Sequence, residues 1–371
     1  MKDGWEVKKL GDVFTLNYGK ALAKADRNSD GLVPVYGANG IMDWSDHILS
    51  CGPTLVVGRK GSAGEINRVD GDFWASDVTY FTSHDARKVH FDYLHYALKR
   101  LNLPSMAKGV KPGINRNEVY SQQIPLPPLD EQKLIVDVLD TAFEGLTRAQ
   151  ENVEADLESA RELFVVSIAN ELSSRPPFPM RNVGDVANHS LGKMLDKNKN
   201  QGTLKPYLRN INVRWFSIDT SNLLEMKIKD TETERYSVNK GDLLICEGGY
   251  PGRSAIWNRE EAIFFQKALH RVEFEHKAHS KLLMLYLFLQ DQIGALHEHF
   301  TGTGIQHFTG KALAKFQMPF PDPSVAQEIT DRIEVIQRSS NLLQANYRTK
   351  LQDLDDLRQS LLQKAFAGEL T

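Results

Sequence analysis

Ile124-Pro125-Leu126-Pro127-Pro128-Leu129-Asp130-Glu131-Gln132 is the stretch that decides how this chain folds. Apolar residues alternating with proline specify extended backbone, and the run stops at two prolines followed by Asp130, the expected N-cap of a helix. From Asp130 to Leu172 there is no further proline, and apolar residues recur at Ile135, Val138, Ala142, Leu146, Ala149, Val153, Leu157, Ala160, Phe164 and Ile168. Repeated steps of three, four and four residues are the period of a nearly straight helix packed along one seam.

The same transition occurs a second time. Met318-Pro319-Phe320-Pro321-Asp322 leads into a proline-free stretch, Ser324–Ala367, whose start, Ser324-Val325-Ala326-Gln327, has capping-box spacing. Its stripe is Ile329, Ile333, Ile336, Leu343, Tyr347, Leu351, Leu354 and Leu361. Upstream, Trp5–Val13 resembles Phe178–Val186, with Gly11-Asp12 against Gly184-Asp185, and Gly19-Lys20 falls level with Gly192-Lys193. The chain is therefore an internal repeat. From Gly11 to Gly184 the shift is 173 residues and from Pro125 to Pro319 it is 194, so the second copy is longer in its middle.

Ahead of each long helix lie short β-rich runs (Thr54–Val57, Val78–Phe81, Leu243–Cys246, Ala262–Phe265), glycine-rich turns and one helix, Asp92–Leu101 or Ser280–Leu296. The expected fold class is α+β, with two globular domains, residues 1–129 and 173–317, separated by long helices at 130–172 and 318–371. Each apolar stripe needs a partner, and the other helix supplies it in an antiparallel coiled coil about 60 Å long with a pseudo-two-fold relation between copies. Trp5 and Phe178 are expected in the core.

A net charge of -3 conceals an alternation of +2 for residues 1–129, -8 for 130–172, +5 for 173–317 and -2 for 318–371. Different surfaces should therefore meet different partners. Cys51 and Cys246 form no disulfide framework or zinc signature, the N-terminus lacks the apolar core of a signal peptide, and the densest apolar run, Leu282–Leu289, is too short to span a bilayer. These features predict a reduced cytoplasmic protein away from membranes.

Catalytic signatures are missing. Gly302–Lys311 lacks the spacing of a P-loop, and no methyltransferase segment or nucleophile elbow occurs. Asp219 with Glu225 and Lys227 imitates part of a metal-dependent nuclease, an alternative in which two carboxylates would hold a cation. His297, His299 and His307 have no acidic or cysteine partner at metal-ligand spacing. A coiled-coil adaptor without nucleic-acid affinity is the other alternative.

Recognition of DNA requires cations for phosphates and amides or arginines for base edges. Both copies carry such residues in loops at matched places. In the first these are Lys20 and Lys24, then Tyr36 and Asn39, then Arg59 and Lys60, then Lys108, Lys111 and Asn115. In the second they are Lys193 and Lys197, then Tyr207, Arg209, Asn210 and Asn212, then Arg253, then Thr303 and Gln306. Asn39 and Asn210 suit adenine, whereas Arg59, Arg209 and Arg253 suit guanine. The lysines suit phosphate, which would make binding sensitive to salt.

This combination resembles the specificity subunit of type I restriction-modification systems. The resemblance rests on the Trp5–Val13 opening and its copy, the Pro-Leu-Pro-Pro-Leu-Asp-Glu-Gln run ending at Gln132, its copy at Met318–Gln327, and the closing Ala-Phe-Ala-Gly-Glu-Leu at 365–370. The second copy departs from the pattern, with Ala326-Gln327 in place of Glu-Gln. The resemblance implies two target-recognition domains that each read half of a split double-stranded DNA sequence, with the helices fixing the gap. It implies a chain that catalyses nothing and itself carries no cofactor. Two modification (methyltransferase) subunits would dock on it, and two ATP-driven restriction subunits could join them; S-adenosylmethionine and ATP would belong to those partners.

Overall fold

A computed structural model describes residues 4–173, 177–196 and 200–370. The chain forms two compact units, Met1–Glu154 with Thr349–Thr371, and Ala155–Arg348. Both are α+β. The first contains strands β1 (Glu6–Lys9), β2 (Phe14–Tyr18), β3 (Val33–Gly37), β4 (Gly40–Ser45), β5 (Ser50–Cys51), β6 (Thr54–Gly58), β7 (Ile66–Val69), β8 (Asp72–Ala75), β9 (Thr79–His84) and β10 (Gln123–Leu126). Its short helices are α1 (Phe91–Arg100) and α2 (Arg116–Ser121), and the long helix α3 (Leu129–Ser173) begins here and continues into the second unit.

The second unit contains β11 (Met180–Asn182), β12 (Ala187–Leu191), β13 (Thr203–Leu208), β14 (Val213–Arg214), β15 (Ser217–Ile218) and β16 (Leu224–Ile228). These are followed by β17 (Ser237–Val238), β18 (Leu243–Cys246), β19 (Ser254–Ile256), β20 (Ile263–Phe265), β21 (Leu269–Phe274) and β22 (Gln317–Pro319). Its helices are α4 (Val183–Val186), α5 (Thr233–Tyr236), α6 (Lys277–Gln292), α7 (Gly310–Lys315) and the start of α8 (Pro323–Ala367), whose end returns to the first unit.

The sheets repeat strand for strand. Orders β2-β9-β6-β7 and β4-β3-β8-β5 in the first unit correspond to β12-β21-β18-β19 and β16-β13-β20-β17 in the second. In each copy a parallel strand pair lies at the same place, β3 with β8 and β13 with β20. Between β3 and β4 the chain turns through residues 38–39, whereas between β13 and β16 it inserts residues 209–223, including the hairpin β14–β15. Part of the extra length of the second copy is this hairpin.

The β6 and β18 runs are buried on both faces, which is why they read as unbroken apolar segments. Leu55 and Val57 face the core under α1, while Val56 faces a second core with Val69, Phe73 and Ala75. In the same way Leu243 and Ile245 join the core under α6, while Leu244 and Cys246 join Leu208, Val238 and Phe265. Period-two alternation thus divides one strand between two cores. Trp5 lies in the first core and Phe178 packs at the edge of the second unit's, as the sequence suggests.

Within the first unit the start of α3 (Ile135, Val136, Leu139) packs on the end of α8 (Leu362, Ala365, Phe366). Within the second, the end of α3 (Phe164, Ile168) packs on the start of α8 (Ile329, Ile333). The two helices run antiparallel in each unit. One seam position differs from the sequence pattern: Leu343 is exposed, and Ser340 occupies the seam and donates to the carbonyl of Ala160 at 2.9 Å. No helix among the described residues is long and apolar enough to cross a membrane.

The helix starts also differ from the sequence reading. Helix α3 begins at Leu129 and the amides of Glu131 and Gln132 both donate to the carbonyl of Pro128, so Asp130 lies inside the first turn. In α8 the amide of Ala326 donates to the carbonyl of Asp322, Pro323 is the first helical residue, and Gln327 reaches Asp331 instead of closing a capping box. Proline fits the first helical position because its missing N–H would have no partner there. This bonding makes Ala326 the counterpart of Gln132, one position from the match drawn on sequence.

Candidate nucleic-acid interface

In the first unit the loops bearing candidate residues converge at one end of the β2-β9-β6-β7 sheet. The amide of Gly61 donates to Pro112, that of Ile114 to Arg59, and Lys108 and Gly113 exchange backbone bonds, which joins loop 58–61 to loop 108–116. The amides of Gly19 and Arg59 reach Thr79 and Val78, and that of Lys20 reaches Ala75, so the first loop joins them. Gly19 is required by close approach: a Cβ there would lie 2.0 Å from the carbonyl oxygen of Ser76. Gly192 repeats this, 2.3 Å from the carbonyl oxygen of Gln266. Both glycines of the Gly-Lys pairs therefore serve backbone packing.

Lys20, Lys60 and Lys111 are exposed on this surface, with Asn39 at the tip of the β3–β4 turn. Lys108 also belongs to it and pairs with Glu118 at 2.8 Å. Arg59 donates from Nε and a terminal nitrogen to the carbonyl of Asp77 and lies over the rings of Tyr18 and Tyr80. Lys24 is exposed on a separate turn beside β4, where Arg27 bridges to Ser45. Two of the candidates also have a role within the domain. Asn115 caps α2 by accepting from the amide of Asn117 at 2.8 Å. Tyr36 packs on the Val56–Phe73 core, and burial raises its hydroxyl above the ordinary tyrosine range.

In the second unit, loops 209–212, 247–253 and 301–308 converge. Asn210 donates from Nδ2 to the carbonyl of Gly248 at 3.1 Å and accepts at its own carbonyl from Arg253 at 3.0 Å. The amide of Phe308 reaches Glu247, and Thr301 and His307 exchange backbone bonds. Thr303 and Gln306 are exposed on that last loop. Arg209 is half-buried and donates to the carbonyl of Asn222.

Three assignments in this unit are corrected. Lys193 is 5% exposed, its Nζ is 2.5 Å from Glu232 and over the ring of Tyr236, and its charge is neutralised inside the domain. The hydrogen bond from Lys193 holds the Glu232 carboxyl below its ordinary range. Tyr207 is buried on β13 with Met226, Ile228 and Phe264. Asn212 is buried, accepting from the amide of Arg209 and donating to the carbonyl of Asp219. Lys197 lies outside the described residues. Asp219, from the nuclease alternative, accepts from the amide of Ser221, which lowers its pKa.

Tyr18 and Arg116 were not distinguished by the sequence, yet both stand in the first domain's loop surface. Their signal would have been an aromatic residue at the exposed end of β2 and a cation just after a helix N-cap.

The second unit also contains a buried histidine on β21. His270 is fully buried, its Nε2 is 2.8 Å from the carbonyl of Phe308, and Nδ1 has no partner. Burial pushes its pKa down to about 4. Because the unfolded chain accepts this proton near pH 6.5 and the folded one refuses it, stability declines as pH falls from about 6.5 toward 4. Urea unfolding at pH 7 and pH 5 should show this loss, and His270→Asn should reduce it; equal slopes in both proteins would remove His270 as its source.

Residues 2–158 and 177–352 match the family model of the type I restriction modification DNA specificity domain. The chain belongs to that family. Each copy of the specificity domain comprises one set of paired sheets, and the two matched segments account for most of the sequence. The chain is 26% identical over 281 residues to a Haemophilus influenzae protein named as a type I restriction enzyme specificity subunit, covering 70% of this chain and 69% of that protein. It is 23% identical over 267 residues to the EcoKI specificity subunit of Escherichia coli, covering 67% of this chain and 58% of that subunit. A solved structure titled for complex assembly and conformational transition of the type I R-M system has the same fold, with TM-score 0.77 and 16% identity over 100% of this chain and 99% of that one.

Proposed function

We propose that each specificity domain reads one half of a split double-stranded DNA target and that α3 and α8 set the gap and dock two modification subunits. The observation that carries this is one scaffold used twice with different loop chemistry: lysines and Arg59 on the first domain, Asn210, Arg253, Thr303 and Gln306 on the second. Identical strand order presents loops at the same place, while unequal side chains suit an asymmetric site. The chain positions DNA and catalyses nothing, and the methyl donor S-adenosylmethionine binds on the modification subunits. Two restriction subunits, driven by ATP, complete the nuclease form. The acidic start of α3 suits a protein partner and repels phosphate.

The test is a map of methylated adenine in cells holding the modification subunit with and without this chain. A split motif with fixed gap that appears only with the chain is the expected result. Reversing charge together at Lys20, Lys60 and Lys111 should weaken methylation several-fold at low salt, with the difference from the wild type narrowing as salt rises. An unchanged map in the absence of the chain would favour the adaptor alternative, and cation-dependent cutting by the chain alone would favour the nuclease.

A further inference from the structure

We infer that Arg116 is the guanine-reading residue of the first domain and that Tyr18 and Tyr120 are the positioning residues that hold it. This rests on the reading of that domain as a DNA recogniser and names one contact within it. Phe14, Leu16 and Tyr18 share one face of β2; the first two are 4% and 1% exposed, while Tyr18 is 52% exposed. The core ends beneath its ring, which Tyr80 on β9 supports edge-on at 5.1 Å between centroids.

Arg116 opens α2 directly after the N-cap Asn115. Its guanidinium carbon is 5.1 Å from the ring centroid of Tyr18 and 5.7 Å from that of Tyr120. Tyr120 is itself fixed, since its hydroxyl accepts from the amide of Leu16 at 2.7 Å. A guanidinium held by contact with aromatic rings spends none of its N–H donors on them, and a side chain already ordered loses less entropy on binding. Among the described residues Arg116 is part-exposed and has no ion pair and no side-chain hydrogen bond, so its donors are not committed to protein partners. Arg59, whose guanidinium carbon is 5.5 Å from the Tyr18 centroid, already gives Nε and one terminal nitrogen to the carbonyl of Asp77.

A rigid unoccupied fork in a lysine-bearing loop surface matches the O6 and N7 acceptors of guanine. Phosphate would also accept from it, but that contact carries no sequence information. In the second domain Gly310 follows the N-cap Thr309 at the corresponding place, and Leu191 ends β12 where Tyr18 ends β2. The requirement therefore belongs to one half-site.

The test maps methylated adenine in cells expressing the full chain with its modification subunit, for the wild type and for Arg116→Ala, Arg116→Lys, Tyr18→Phe and Tyr18→Ala. The wild type should require guanine at one position of one half-site. Arg116→Ala and Arg116→Lys should both lower that discrimination about tenfold, because lysine restores charge without the fork. Tyr18→Phe should keep it, Tyr18→Ala should relax it in part, and the other half-site should stay unchanged, which also reports intact folding. A uniform loss over all sites in Arg116→Ala, with a salt dependence shallower by about one, would make Arg116 a phosphate anchor and overturn the inference. An unchanged motif in Arg116→Ala would overturn it as well, leaving the half-site reading standing. A wild-type chain that directs no split motif would overturn both.

Discussion

Gln132→Ala is expected to lower the stability of the first unit by about 3 kcal/mol, from the loss of three hydrogen bonds and the exposure of their partners as unpaired buried groups. Gln132 is fully buried at the first turn of α3. Its Nε2 donates to the carbonyls of Lys88 at 3.0 Å and Pro127 at 2.9 Å, and its Oε1 accepts from the amide of His90 at 2.8 Å. One amide thus joins the domain before α1 to the proline run and to α3. Trp5 adds a bond from Nε1 to Glu131 at 3.0 Å, so the two polar residues that end the motif both hold the helix start to the domain. Urea unfolding of the full chain followed by Trp fluorescence measures the effect. An unchanged midpoint in Gln132→Ala would show that the clamp contributes nothing, and Gln132→Met separates loss of hydrogen bonds from loss of volume.

The second unit holds its helix start by other means. Ala326 stands where Gln132 stands in the first, and His279, buried and stacked on Phe320 at 4.1 Å, takes the carbonyl of Pro321 at 2.9 Å. A polar clamp on the helix has been replaced by one on α6.

Phe164→Ala should cost the second unit about 3 to 5 kcal/mol, the usual range for removing a buried aromatic ring. Phe164 on α3 is 7% exposed and packs against Phe288 of α6 and Phe216 at the tip of the β14–β15 hairpin, each at 5.7 Å between centroids. Phe216 has a φ of +64°, a conformation that side chains other than glycine rarely adopt. Its ring also meets Phe288 at 4.8 Å, so the hairpin unique to the second copy is fastened to both helices. Unfolding midpoints of Phe164→Ala and Phe164→Leu should fall in that order of severity. A loss below about 1 kcal/mol for alanine would mean that the site collapses to refill the space.

Much of the architecture is readable from local sequence. The α+β pattern, the duplication and the two long helices follow from properties that neighbouring residues carry together. Prolines at 127 and 128 exclude helix before them, steps of three and four place Ile135 through Ile168 on one face, and Leu55-Val56-Val57 has no polar side for water. Such signals do not depend on what lies far along the chain, so they remain visible without it.

The interface is different because burial of a polar side chain depends on distant partners. Lys20 and Lys193 follow the same glycine in the two copies, yet Lys20 is exposed and Lys193 is enclosed by Glu232 and Tyr236. Asn39 remains at an exposed turn, whereas Asn212 is bound by Arg209 and Asp219 because residues 209–223 form an insertion with its own bonds. Arg116 has an aromatic neighbour only because the fold brings Tyr18 at the end of β2 beside α2. Local sequence carries the duplication, the apolar strand runs such as Leu55–Val57 and the two long helices, since periodicity and proline geometry act over a few residues. The tertiary structure alone decided which cations face solvent and which amides hold the fold, since those outcomes require partners from remote parts of the chain to meet at hydrogen-bonding distance.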